Sequence, residues 1–65
     1  MPLDPSKIRK RREALKLTQA EAAKLAKMPA PHWSRIEGGN RSDPKLSTAE
    51  KVAQALQCGL EKLLD

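Results

Sequence analysis

Two helix starts and two helix stops fall between Leu17 and Gly39, in LTQAEAAKLAKMPAPHWSRIEGG, so the chain must place two short helices around a tight turn. Thr18 and Glu21 form a T-x-x-E pair, in which hydroxyl and carboxylate reciprocally satisfy backbone N–H groups that a helix start leaves open. This predicts a helix over about 19–26. Pro29 and Pro31 lack an N–H, and a helix tolerates that loss only at or within its opening turn. The next helix is therefore expected over about 30–37. Gly38, Gly39 and Asn40 accept positive φ and end it, and the polar stretch Arg41–Lys45, containing Asp43-Pro44, reads as a surface loop.

Outside this segment the pattern stays helical. Asp4 before Pro5 reads as an N-cap followed by a first-turn proline, and Ile8, Leu15 and the stem of Arg12 fall on one face of a helix expected over about 5–15. Ser47 and Glu50 suggest a second capping box, with Leu46 as a hydrophobic staple. Ala49, Val52, Ala53 and Leu56 then recur at helical intervals up to about residue 56. After a turn at Gly59, Leu60, Leu63 and Leu64 give a last short helix an apolar side too large to leave in water, which caps the core or joins a partner subunit. There is no Phe or Tyr, little Val or Ile, and no alternating apolar run. The expected fold is all-α: a compact bundle of about five short helices, organised as one domain over residues 1–65. Ile8, Leu15, Ala23, Trp33, Ile36, Val52 and Leu56 are its expected core.

Composition narrows the function. A chain of 65 residues builds one small core and leaves no room for a large enclosed active site. Thirteen Lys and Arg against eight Asp and Glu leave a net charge of +5, which favours a polyanionic partner, either nucleic acid or an anionic membrane surface. The basic run Lys7, Arg9, Lys10, Arg11, Arg12 is not segregated opposite a broad apolar face, which argues against the membrane surface. No apolar run approaches the roughly 18 residues of a membrane span, and the basic start MPLDPSKIRKRR lacks the apolar stretch of a secretory signal. Single Cys58 makes no internal disulfide, and single His32 leaves the chain short of a structural zinc set. A soluble protein of the reducing cytoplasm, without metal or cofactor, is expected. Enzyme chemistry is not: Ser34 and His32 are two apart on one helix and do not face each other, no third residue orients the histidine, and phosphate-binding glycine patterns are absent.

Leu17-Thr18-Gln19, Ala23, Trp33-Ser34-Arg35-Ile36-Glu37 and Gly39 resemble the helix-turn-helix of the Xre, phage-repressor and Cro family, over nearly the whole chain. The resemblance implies a double-stranded-DNA-binding regulator, a repressor, whose third helix enters the major groove of a two-fold operator. With Trp33 and Ile36 inward, Ala30, Pro31, His32, Ser34 and Arg35 become the candidates for base contact. Arg35 is foremost, because its planar fork donates two hydrogen bonds to guanine. The resemblance also carries Gln19 onto a phosphate contact and pairs Arg12 with Glu37. Asn40, Arg41 and Lys45 are placed to hold a neighbouring phosphate, and Arg9 or Lys10 to add a weaker one. A single copy reads few base pairs, so a homodimer is expected, at least on DNA, with Leu60, Leu63 and Leu64 as apolar contributors. The competing reading is a protein-interaction module of antitoxin type, with weak or secondary DNA binding.

Two residues depart from the family pattern. Lys27 stands where the family has glycine in a left-handed turn, so a slightly distorted turn is expected. Ala22 and Ala26 are small where the family carries larger aliphatic groups, and Trp33 is large where it carries Ile or Val. An exchange of volume that buries the indole follows, since cores tolerate substitutions that conserve total volume. An exposed Trp33 would instead offer a stacking or partner contact.

Overall fold

A computed structural model describes residues 3–38 and 45–64. Among the described residues four α-helices follow in order, α1 (Pro5–Ala14), α2 (Gln19–Leu25), α3 (Ala30–Glu37) and α4 (Leu46–Ala55), with a 3₁₀ turn at Leu60–Lys62. Gly39, Asn40, Arg41 and the Asp43-Pro44 step lie outside the described residues.

Local chemistry sets the helix starts. Asp4 accepts a hydrogen bond from the backbone N–H of Ser6 at 2.9 Å, and Pro5 occupies the first helical position, where its missing N–H costs nothing. The capping box of α2 is complete: Thr18 Oγ1 accepts from the Glu21 N–H at 3.1 Å, and Glu21 accepts from the Thr18 N–H at 2.9 Å. Pro29 caps α3 in an extended conformation, which places Pro31 in the first turn.

Helix α4 departs from expectation. Its first residue is Leu46 and its cap is Lys45, whose carbonyl accepts from Ala49 N–H at 3.0 Å, and no side chain caps it. Ser47 is already helical and so cannot form the expected capping box with Glu50. Leu46 is 52% exposed and staples nothing. Because Leu46 and Ser47 face solvent, water can satisfy the open N–H groups that a cap would otherwise bind.

The expected fifth helix is only the Leu60–Lys62 turn. Leu63 carbonyl accepts from the Asp4 N–H at 2.8 Å, and Leu64 bridges Leu3 in antiparallel fashion, which draws the chain straight and prevents further winding. This turns Leu63 inward. At 1% exposure it belongs to the chain's own core and is withdrawn from the expected dimer surface, whereas Leu60 and Leu64 are half-buried.

Three helices end in the same way. After α1, α2 and α4 the residue beyond the cap adopts left-handed backbone: Lys16 (φ 58°), Lys27 (φ 58°) and Gln57 (φ 55°). At each end two backbone bonds close the turn, as at α2, where Lys27 N–H donates to Lys24 and Met28 N–H to Ala23 at 3.1 and 3.0 Å. The turn at Lys27 therefore keeps regular geometry and is not distorted. Its cost falls on the side chain, about 1 kcal/mol per non-glycine residue in this region.

One apolar cluster joins the elements: Leu3, Ile8, Ala22, Ala23, Ala26, Trp33, Ile36, Ala49, Val52, Ala53, Ala55, Leu56 and Leu63 are buried. Leu15 and Leu17 pack against it half-buried. Trp33 is fully enclosed, and Ala22 and Ala26 are buried in the same cluster. Helix α2, which holds Ala22, packs most extensively against α3, which holds Trp33.

Candidate nucleic-acid interface

The side chain that fixes α3 against the rest of the fold is Glu37. Its carboxylate is buried, with the side chain 2% exposed, and it accepts from three elements. Arg12 on α1 donates through Nε at 2.9 and 3.0 Å and through Nη2 at 2.7 Å. Gln19 on α2 donates through Nε2 at 3.3 Å, and Trp33, one turn back on α3, donates through its indole N–H at 2.7 Å. Arg12 Nη1 also donates to the Leu17 carbonyl at 2.7 Å, tying the α1–α2 connection to the same centre. The hydrogen bond to Glu37, and its charge together with that of Glu13, raises the Arg12 pKa against an opposing effect of burial. Arg12 therefore carries its charge at every relevant pH.

This inward carboxylate shapes the outward surface. Glu37 is the one acidic residue of α3, and its burial leaves Ala30, Pro31, His32, Ser34 and Arg35, all exposed, as a face without negative charge. Gln19 is exposed at the start of α2. One of its two amide N–H groups goes to Glu37, so the other remains for an external acceptor. Lys45 is exposed at the start of α4, while Asn40 and Arg41 lie outside the described residues.

The basic run on α1 divides by role. Arg11 donates to the Leu56 and Gln57 carbonyls at 2.9 and 3.1 Å, satisfying acceptors at the end of α4. Lys7 Nζ donates to the Leu64 carbonyl at 2.8 Å, and Arg9 meets Glu13 loosely at 3.4 Å. Lys10 is exposed. Sequence reasoning did not find the roles of Arg11 and Lys7, because their acceptors are backbone carbonyls far along the chain. The Trp33–Glu37 bond was also missed, although the i,i+4 spacing of an indole and a carboxylate was a visible signal.

No group of three or more His, Cys, Asp or Glu capable of holding a metal exists among the described residues. An open cleft lined by Arg11, Gln57, Cys58, Gly59 and Lys62 lies at the end of α4. Among the described residues, no helix is long and apolar enough to cross a membrane.

Two helices joined by a tight turn, the second presenting a polar and cationic face while its apolar side locks into a small core, define a helix-turn-helix protein. The chain belongs to the helix-turn-helix domain family, whose model matches residues 6–64. Among solved structures it is similar to the P22 c2 repressor in complex with a synthetic operator, at 29% identity over 100% of this chain and 97% of that one (TM-score 0.85). It is similar too to the restriction-modification controller protein C.AhdI of Aeromonas hydrophila, at 27% identity over 92% and 89% of the two chains (TM-score 0.85). A third likeness is to hydroxyethylphosphonate dioxygenase, at 29% identity and a TM-score of 0.83, where this chain spans 14% of the enzyme's length. No curated protein matches the chain. These likenesses support a DNA-binding regulator of repressor-like, all-α fold.

Proposed function

We propose that this protein is a sequence-specific transcriptional repressor that places α3 in the major groove of double-stranded DNA. The observation that carries this is the exposed face of α3, which offers Arg35 and Ser34 as polar groups, Ala30 and Pro31 as apolar surface and no carboxylate. Arg35 donates in bidentate fashion to guanine, Ala30 and Pro31 meet a thymine methyl group, Ser34 adds a weakly discriminating hydrogen bond, and His32 reaches a base or phosphate at the edge. Gln19 and Lys45 hold phosphates, with Asn40 and Arg41 between them in sequence and Arg9 or Lys10 contributing weakly. Residues 1–65 act as one domain, in the cytoplasm, without cofactor or enzymatic role.

A homodimer on a two-fold site, with half-sites about 34–36 Å apart, supplies the specificity that one copy lacks. Leu60 and Leu64 contribute its apolar contacts. The likeness to a repressor bound to operator supports this reading. The likeness to one segment of a dioxygenase places the same fold inside a larger enzyme, and the second reading is a module of antitoxin type that binds protein and touches DNA weakly.

Titration of ¹⁵N-labelled protein with a short duplex tests the interface. Amide shifts concentrated at Gln19, Ala30, residues 32–35 and Lys45 are expected. Shifts confined to Leu60, Leu64 and their neighbours, with α3 silent, would overturn the proposal.

A further inference from the structure

Lys16 and Lys27 carry the left-handed backbone that closes α1 and α2. Each occupies the left-handed position that closes a helix, where glycine bears no steric cost, and each is exposed. Neither has a salt-bridge partner among the described residues. A lysine near a helix C-terminus interacts favourably with the helix dipole, but a glycine there would relieve the strain altogether.

Their placement is informative. Lys16 lies three residues before Gln19, where α2 begins and whose amide donates to Glu37, and Lys27 lies three residues before Ala30, where α3 begins. The two lysines therefore stand at opposite ends of α2. Seven helical residues span about 10 Å, close to the roughly 12 Å width of the major groove. With α3 in the groove and α2 lying across it, the ends of α2 come to the two phosphate walls. We infer that Lys16 and Lys27 are phosphate-binding residues, one at each wall of the groove. The inference rests on the DNA-binding reading above. A lysine suits this task because its charge sits on a flexible stem and needs no fixed geometry to meet a phosphate. Gln57 supplies an internal control, since it has the same backbone conformation, at the end of α4, with no charge.

The test compares Lys16→Gly, Lys27→Gly and Gln57→Gly by thermal unfolding and by binding to a fluorescein-labelled duplex across a potassium chloride series. All three substitutions are expected to raise Tm by a few degrees. Lys16→Gly and Lys27→Gly are each expected to weaken binding several-fold and to flatten the log–log salt dependence by about 0.9, whereas Gln57→Gly leaves both unchanged. Lys27→Arg, which restores the charge, should recover the wild-type slope. A wild-type slope in either lysine-to-glycine variant overturns the two-wall assignment. Failure of the wild-type protein to bind duplex at low salt overturns the DNA-binding reading, and this inference with it.

Discussion

Replacing Arg12 by methionine should destabilise the domain by about 3–5 kcal/mol, the cost of stranding a buried carboxylate without its counter-charge. The magnitude follows from the surroundings of Glu37. Arg12 donates to it through two nitrogens at 2.7–3.0 Å, and the carboxylate side chain is 2% exposed, so water cannot replace the guanidinium. Gln19 at 3.3 Å and Trp33 at 2.7 Å are neutral donors and cannot neutralise it. A domain of this size has roughly 3–10 kcal/mol in total, so the single variant should lie near the edge of folding. Glu37→Gln removes the charge but keeps an oxygen for the Trp33 indole, and should cost less, about 1–3 kcal/mol. In the double variant no unpaired charge is buried, and its loss should fall short of the summed single losses by about 2 kcal/mol or more. Urea unfolding at pH 7, followed by circular dichroism at 222 nm at low temperature, measures all three. An Arg12→Met cost below about 1 kcal/mol, the range of exposed ion pairs, or strict additivity in the double variant, would refute the reasoning.

Other outcomes follow from the same geometry. Arg35→Ala should relax selectivity at one operator position by about 1–3 kcal/mol, while Lys45→Ala weakens all sequences alike; equal loss on every sequence from Arg35→Ala would make it a phosphate contact. Trp33 is fully enclosed, so its emission should be blue-shifted in the folded protein and shift red on unfolding; a native maximum near that of free tryptophan contradicts the burial. The Glu21 carboxyl is held below the ordinary glutamate value, chiefly by the Thr18 backbone N–H and then by its side chain. Its folded pKa lies below the unfolded one, so the stabilisation is complete above the unfolded value and is lost as pH falls through the folded value. In a carbon-detected NMR titration Thr18→Ala should move the Glu21 midpoint part of the way up, and an unchanged midpoint would deny the hydroxyl any role.

Most helix limits were legible because they depend on neighbouring residues. Asp4-Pro5, the Thr18–Glu21 pair and the Pro29–Pro31 segment place the starts of α1, α2 and α3, where caps and prolines act within one turn of chain. The start of α4 was misread because a capping box is only permissive. Ser47-x-x-Glu50 satisfies its spacing, yet the helix begins earlier at Leu46, where exposure lets solvent serve the open N–H groups. The last leucines were misread for a different reason. Their conformation is set by Leu3 and Asp4, some sixty positions away, and no local pattern announces a bridge between chain ends. At the candidate interface, helical spacing was enough to separate Trp33 and Ile36 from Ser34 and Arg35. What spacing could not show is that one carboxylate gathers Arg12, Gln19 and Trp33 together, because that convergence depends on how three helices cross.

Selection of the purified protein on a randomised duplex library at near-physiological salt asks whether α3 reads DNA sequence, since salt sets how strongly nonspecific binding competes. An enriched inverted repeat whose half-sites contain a guanine is expected, with preference at that guanine relaxed by Arg35→Ala. Salt-sensitive binding that enriches no motif would contradict it and favour the protein-interaction module.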